Sequence, residues 1–238
     1  MFNLFFYQPI YNILLFLGSL APAHDMGVAI IALTLVVRGA LSPLSHKMLT
    51  TQKKLREIEP QLTAIREKHK NAEDQGRRIM EVYKQHNVNP FSGFAFFIIQ
   101  IPLFFALYRV AQDNFAHAAE VAYSFVTPPD SFATVFLNMF PLSQPNIIFA
   151  LVAGISFFIQ AWLSIPPPAP ADPKKEQSFM SDFTRGMAIQ SRYVLPVIIT
   201  LVSLKLSVAV VLYIITSNLF TIGHELYVRR AALQLATA

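Results

Sequence analysis

The chain of 238 residues contains no cysteine and few charged residues. Without cysteine it can form no disulfide, no thiolate metal site and no lipid-modified cysteine anchor, and it has no cysteine nucleophile. Charged residues make up only 14% of the sequence, against about 25% in soluble domains, whereas hydrophobic residues make up 54%. So little polar material cannot cover a soluble globule, and the composition therefore predicts a membrane protein.

Acidic residues are scarce in the apolar stretches, and the six histidines are scattered without the spacing of metal ligands. No pair of carboxylates falls within an apolar stretch, so the sequence offers no general acid and base for hydrolysis inside a membrane. We predict no catalytic residue, no metal site and no enzymatic activity.

Basic residues are concentrated in one block of the chain. Between Lys47 and Lys84 lie 10 of the 19 Lys and Arg residues but only six acidic residues, so this block carries +4 of the net charge of +5. A basic loop beside long apolar runs is typical of a segment retained on the cytoplasmic side of a membrane. We therefore expect no direct sequence-specific binding of nucleic acid.

Residues 1–22 are apolar and lead to a small-residue motif that ends at Ala23, as in a signal peptide. No Lys or Arg precedes the apolar stretch, however, and Gln8, Pro9 and Asn12 interrupt it. We interpret these residues as a retained interfacial helix, and the alternatives are a cleaved or a membrane-spanning segment.

The apolar runs predict an all-α fold, a polytopic membrane protein with five transmembrane helices and a cytoplasmic helical hairpin. The first span has 19 residues from Gly27 to Ser45, enough to cross about 30 Å of hydrocarbon. The run from Tyr193 to Ile222 is too long for one crossing, and we split it at Lys205 to Ser207. Five spans place the basic residues near the C-terminus inside, in agreement with the positive-inside rule. The predicted segments are an N-terminal interfacial helix (1–22), a first span (23–45), a cytoplasmic helical hairpin (46–88), a second span (89–112), an extracytoplasmic segment (113–145), a third span (146–165), a cytoplasmic loop (166–186), a fourth span (187–205), a fifth span (206–228) and a cytoplasmic tail (229–238).

Apolar residues recur at spacings of three and four within the basic block, as in a heptad seam. They are Leu55, Ile58, Leu62 and Ile65 on the first arm, with Ile79 and Val82 on the second. Asn71 and Gly76 indicate a turn between the arms. The block is therefore predicted to be an antiparallel helical hairpin outside the bilayer, and its plainer interpretation is a solvated connector.

Arg38 lies about two-thirds of the way through the first predicted span, where a charged side chain costs about 2.5 to 3.5 kcal/mol. The usual explanation is a salt bridge to an acid on a neighbouring span. If the first span is counted from Gly27, where its apolar run begins, the one acidic residue within the predicted spans is Glu225, which the topology places near the cytoplasmic end. A hydrated cavity therefore explains Arg38 better than an ion pair does.

Further polar residues in the predicted spans could line one wet recess together with Arg38. Thr34 lies one helical turn before Arg38, Gln100 lies in the middle of the second span, and Tyr213 and Ser217 form an i, i+4 pair in the fifth. Taken singly, each of these residues is more often a hydrogen-bonding contact between helices. Two polar residues of the third span are better assigned to that role, namely Ser156 and Gln160.

Four stretches of the sequence carry a family resemblance: TLVVRGALSPL, QKKLREIEPQLTAIREKHK, VNPFSGFAFFIIQIPLFFALY and VVLYIITSNLF. In this order and spacing they closely resemble the YidC/Oxa1/Alb3 family of membrane insertases, over the chain from about residue 5 to 230. The resemblance implies a five-helix core with a groove that is open to the cytoplasm and lipid and closed on the outer side. It also implies that no ATP, metal or other cofactor is needed.

The resemblance assigns roles to individual residues of the groove. Arg38 stands at the position of the family's groove arginine, Thr34 and Gln100 at positions of groove-lining residues, and Tyr213 at that of a substrate-contacting aromatic residue. Ile214 stands where the family often has a second aromatic residue. The implied partners are the lipid bilayer and nascent membrane proteins with short translocated tails; the ribosome, the signal recognition particle receptor and the Sec translocon are further candidates.

The expected function is that of a membrane protein insertase in the bacterial cytoplasmic (inner) membrane, with the N-terminus outside and the C-terminus inside. Arg38 would attract the acidic or polar tail of a substrate into the groove, and the apolar helix of the substrate would then move into lipid. The main alternative is a small-anion transporter or channel, which would also need an arginine at a hydrated site. A membrane scaffold that binds a partner through the hairpin is a third interpretation.

Overall fold

The computed structural model describes residues 3–69, 71–89, 101, 104–109, 122–126, 131–164, 186 and 189–237, except for the side chains of residues 5, 45–50, 52, 53, 56, 66, 67, 72 and 231–237. Most of these residues are helical, as predicted, and two short strands form one antiparallel pair. The helices are α1 (Gln8–Leu20), α2 (Met26–Ala40), α3 (Ser42–Lys68), α4 (Ala72–Gln85), α5 (Ile147–Ser164), α6 (Leu195–Ser203) and α7 (Val208–Thr237), and the strands are β1 (Val135–Phe136) and β2 (Phe140–Pro141). Residues 104–109 are also helical, and π-helical turns at Asn3–Tyr7 and Gln190–Val194 precede α1 and α6.

The chain forms two compact units. The membrane unit comprises Met1–Arg38 and Leu103–Ala238, and the hairpin unit comprises Gly39–Pro102. Within the part of the chain that the structure describes, α5 and the Val208–Arg230 part of α7 are long and apolar enough to cross a membrane, whereas α1 and α2 are shorter apolar helices. The count of five spans therefore stays a prediction.

Helix α2 ends at Ala40 and not at Ser45, where the sequence placed the end of the first span. Pro43 explains the break, because it has no N–H to bond the carbonyl of Gly39 and its ring would clash with that carbonyl. A new helix, α3, begins at Ser42 with Pro43 in its first turn. With 15 residues, α2 is about 22 Å long, shorter than the hydrocarbon core of about 30 Å.

The long apolar run near the C-terminus is divided as predicted. Helix α6 ends at Ser203 and α7 begins at Val208, and exposed Lys205 lies in the turn between them. Past the predicted end of the fifth span, α7 continues without a break to Thr237, so the predicted tail belongs to the same helix.

Helix α5 packs against both α6 and α7. Gly154 allows the close approach of α6, because a Cβ atom at this position would lie 1.8 Å from Thr200 Oγ1. On the α7 side, Asn218 Nδ2 donates a hydrogen bond to Ser156 Oγ over 3.0 Å, and Ser156 Oγ donates to the carbonyl of Ala153. The predicted role of Ser156 as a contact between helices is thus confirmed.

The core of the membrane unit is built from α1, α2, α7, residues 104–109 and the segment before α5. One face of α1 contributes Tyr11, Leu14 and Leu15, all fully buried. The β1–β2 pair lies over the start of α2, where the ring of Phe136 fills the space that a side chain at Gly27 would need. The buried core therefore reaches from α1 across α2 to α7.

The hairpin unit has its own apolar seam, as predicted. Ile58 and Leu62 of α3 and Val82 of α4 are buried together, and Leu55, Ile65 and Ile79 pack around them. His86 Nε2 lies 3.2 Å from Gln61 Oε1, which fits antiparallel arms. The turn is shorter than expected, because Asn71 caps α4 by accepting a hydrogen bond from Glu73 N, and Gly76 lies inside α4.

Candidate functional site

Arg38 lies on the buried face of α2, in the last turn of the helix, and only 7% of it is exposed. The same face carries Ile30, Leu33 and Thr34, which recur at the helical spacing of three and four and are also buried. Arg38 therefore belongs to the face of α2 that is buried inside the protein.

Tyr213 and Ser217 occupy a buried face of α7, one helical turn apart. Only 1% of Tyr213 is exposed. The guanidinium group of Arg38 and the phenol group of Tyr213 interact electrostatically, so the end of α2 and the second turn of α7 come together here. The structure thus unites the two residues that the sequence singled out in the first and fifth spans.

Two predicted site residues remain, Thr34 and Gln100, and the structure describes only Thr34. Thr34 is buried, and its hydroxyl donates a hydrogen bond of 2.6 Å to the carbonyl of Ile30, which leaves its oxygen free only to accept. Gln100 lies outside the described residues. Arg38 on α2 and Tyr213 on α7 are therefore the residues that interact, with Thr34 and Ser217 one helical turn away on their own helices.

Glu225 belongs to a separate polar cluster at the far end of α5. Its Oε2 accepts a hydrogen bond from Ser164 Oγ, and its Oε1 binds Arg229 Nη2 at 2.9 Å. Arg229 also donates to the carbonyl of Leu163. The sequence assigned Arg229 to a tail, although its i, i+4 spacing from Glu225 was a signal for this pair.

Arg192 is a second buried arginine that the sequence did not single out. Its guanidinium carbon lies 3.7 Å from the centre of the Trp162 ring, a cation–π contact between the π-helical turn before α6 and the end of α5. Both basic contacts, from Arg192 and from Arg229, therefore meet α5 at adjacent residues, Trp162 and Leu163.

The site has no features of a metal centre in the part of the chain that the structure describes. No group of three or more His, Asp or Glu side chains there could hold a metal ion. The polar groups that do converge, a guanidinium, a phenol and hydroxyls, can hold water or an anionic or polar group of another molecule by hydrogen bonds.

Comparison with known proteins gives matches along nearly the whole chain. The family model of the 60Kd inner membrane protein matches residues 17–234. The membrane protein insertase YidC of Wolinella succinogenes is 30% identical over 230 residues, and that of Pelobacter propionicus is 30% identical over 209 residues. These matches cover 96% and 87% of this chain but only 38% and 35% of the two relatives. The chain thus spans little more than a third of the length of these curated relatives.

A solved structure is also similar to this chain. The crystal structure of an active YidC insertase with its first transmembrane domain resolved matches 93% of this chain and 45% of that chain, with a TM-score of 0.56 and 21% sequence identity. At this level of identity the match shows a shared fold.

Proposed function

Since the chain belongs to the 60Kd inner membrane protein family, the YidC/Oxa1/Alb3 family of membrane insertases, we propose that it inserts other proteins into the bacterial inner membrane. Its substrates would be nascent membrane proteins with short translocated tails. The ribosome, the signal recognition particle receptor and the Sec translocon are candidate partners that would bring such substrates to it.

The observation that carries the proposed mechanism is the position of Arg38, buried at the end of an apolar helix and next to Tyr213. A buried positive charge beside a phenol favours a site for an acidic or polar substrate segment. Thr34, Ser217 and Gln100 would line the same groove.

Capture at Arg38 would be followed by partition of the substrate helix into lipid. Each CH₂ group moved from water into hydrocarbon contributes about 0.8 kcal/mol, so a substrate helix can drive its own insertion without nucleotide hydrolysis. The membrane potential adds roughly 2.3 kcal/mol per 100 mV for each acidic charge that crosses outward. The protein then needs only to lower the barrier for the polar tail.

The first prediction tests whether Arg38 acts through its positive charge or through the shape of its side chain. We expect Arg38→Lys to keep much of the insertion activity, because an ammonium group still supplies the positive charge. Arg38→Ala should lose at least about tenfold for acidic tails, since a charge pair at about 4 Å is worth up to roughly 4 kcal/mol at an effective dielectric constant of 20, and a loss of about 1.4 kcal/mol is already tenfold. The measurement is the protease-protected fraction of a single-span substrate inserted into liposomes that contain only the purified chain.

A substrate whose tail acids are neutralised is the matched control, and its loss with Arg38→Ala should be much smaller. Equal losses for acidic and neutral tails would show that Arg38 acts in folding or hydration and not in capture. The same liposomes test the alternative of a small-anion transporter. A transporter should release trapped anions, and Arg38→Ala should slow that release. An insertase should show no release of anions that depends on Arg38.

A further inference from the structure

Asp25 is buried immediately before α2, at the end of the helix opposite Arg38, with 6% of it exposed. Its Oδ1 accepts hydrogen bonds from Gly27 N at 2.7 Å and Val28 N at 3.3 Å, as an N-cap residue does. Its Oδ2 accepts a third hydrogen bond, of 2.8 Å, from Leu137 N in the turn between β1 and β2. This third bond has no part in capping α2.

The β1–β2 pair belongs to segment 131–144, which backbone hydrogen bonds hold to the start of α2. Met26 N donates to the carbonyl of Ala133 over 3.0 Å, and Ala133 N donates to the carbonyl of His24 over 3.0 Å. The Asp25 carboxylate therefore adds a side-chain hydrogen bond to these two backbone hydrogen bonds.

The same segment is bonded to the start of α7. Val208 N donates to the carbonyl of Gln144 over 2.9 Å, and Ala209 N donates to the carbonyl of Leu142 over 3.0 Å. Segment 131–144 thus joins the first turn of α2 to the first turn of α7. The same two helices carry Arg38 and Tyr213, which interact at the end of α2.

Backbone strain surrounds the Asp25 contacts. Leu137 and Asn138 have φ angles of 50° and 56°, and Ala23 and His24 both have φ of 53°. Residues other than glycine rarely adopt this left-handed backbone conformation, and it persists where neighbouring contacts enforce it. The bond from Leu137 N to Asp25 is one such contact, because it holds the N–H of a strained residue.

We propose that Asp25 is a positioning residue that seals this end of the membrane unit and fixes α2 against α7. Breaking its bond to Leu137 releases segment 131–144 and admits water to the buried start of α2. The inference rests on the proposed function only where it assigns this end to the extracytoplasmic side, toward which a substrate tail would leave.

The sequence contains no cysteine, so a cysteine introduced into this chain is its only thiol and can be labelled specifically. Ala29→Cys places a thiol one turn into α2, where Ala29 is 0% exposed. Lys205→Cys places a reference thiol in the exposed turn before α7, at the same end of the unit. The measurement is the rate of reaction with a membrane-impermeant maleimide in proteoliposomes of the full chain, relative to the reference thiol.

Asp25→Asn separates the seal from the helix cap. Asparagine caps helices about as well as aspartate, but its amide nitrogen cannot accept a hydrogen bond from Leu137 N. We expect Ala29→Cys to react roughly tenfold faster in the Asp25→Asn background, the ratio that corresponds to about 1.4 kcal/mol. An unchanged rate, even with a lowered melting temperature, would show that Asp25 is only a cap and would overturn the proposal.

Asp74→Asn is the matched control, because Asp74 also lies in the first turn of a helix and binds Arg78 at 3.1 Å, but in the hairpin unit. It should leave the Ala29→Cys rate unchanged. If Asp25→Asn cannot be reconstituted, hydrogen exchange of the unmutated protein decides. The amide of Leu137 should then exchange as slowly as those at the start of α2, and fast exchange would overturn the seal.

Failure of this inference and failure of the proposed function have different signatures. The seal is tested by thiol reactivity and hydrogen exchange, with no substrate present. The capture mechanism is tested by insertion of acidic and neutral tails with Arg38 variants. A protein that keeps its charge-dependent insertion but shows no opening in Asp25→Asn would retain the proposed function and lose only the role of Asp25.

Discussion

Gly154 determines how closely α5 and α6 approach each other. A Cβ atom there would lie 1.8 Å from Thr200 Oγ1 and 3.1 Å from Thr200 Cβ, so even alanine forces the helices apart. We expect Gly154→Ala to destabilise the membrane unit by about 1 to 3 kcal/mol, the usual cost of overpacking. Thermal unfolding of the detergent-solubilised protein measures this change as a lower melting temperature.

Gly223→Ala is the control for Gly154→Ala, because no atom lies within 4 Å of a Cβ placed at Gly223. In an open helical position alanine is favoured over glycine by about 0.8 to 1 kcal/mol, so this variant should be neutral or stabilising. Thr200→Ala removes the closest atom and should restore part of the stability in the double variant. Equal losses at both glycines would mean that helix packing does not explain the effect.

Single residues differ in how far their roles could be predicted from the sequence. Arg38 was identifiable because a charge in an apolar run is costly and demands a reason wherever it occurs. Asp25 was not, because it lies outside the runs and its partner Leu137 is brought to it only by the fold. Likewise Arg192 lies near the start of the fourth predicted span, and its contact with Trp162 of α5 is formed only in the fold.

At the scale of elements, the hairpin seam allows a test of whether the hairpin unit is separable from the membrane unit. Leu62 is buried between α3 and α4, so Leu62→Asp places a charge among Ile58 and Val82. Loss of the leucine alone costs about 2 to 5 kcal/mol, and the unpaired charge adds to it. We expect α3 and α4 to become sensitive to trypsin while the fragments of the membrane unit stay resistant.

Ala64→Asp provides the matched control, because it introduces the same charge at an exposed position of α3. Its digestion pattern should equal that of the unmodified protein. The separate unit would be disproved if Leu62→Asp also made α5 and α7 accessible to the protease. If the Leu62→Asp variant inserts substrates at the normal rate, the hairpin has no role in engaging substrates or ribosomes.

Local rules predicted some element boundaries and missed others. The break between α6 and α7 could be placed because Lys205 and Ser207 interrupt an apolar run that is too long for one crossing. The end of α2 was placed too late, because hydropathy alone does not register the backbone effect of Pro43. Gly76 was assigned to a turn on propensity, yet the cap at Asn71 starts α4 earlier and includes it.

For the molecule as a whole, the described contacts distinguish two ends of the membrane unit. At one end, Arg192 and Arg229 meet the last turn of α5. At the other end, exposed Lys205 lies in the turn before α7, and segment 131–144 joins the start of that helix to α2. The sequence predicted this polarity from the distribution of charge, but not the β1–β2 pair, whose register depends on contacts with distant helices.

This polarity leads to a prediction for the topology of the whole chain. Basic segments next to spans are retained in the cytoplasm, so the end with Arg192 and Arg229 should face inward together with the basic hairpin. Helices α6 and α7 are distinct and are joined by a short turn, as separate fourth and fifth crossings would require.

Reporters fused after Lys70, after Lys175 and at the C-terminus should therefore report the cytoplasm, and one at Pro128 should report the outer side. The measurement compares a reporter active only inside with one active only outside at each position, so every fusion gives a positive signal in one of the two. An inside signal at Pro128 would overturn the five-span topology. An outside signal at the C-terminus alone would leave four spans and place Arg229 outside, against the charge rule on which the orientation rests.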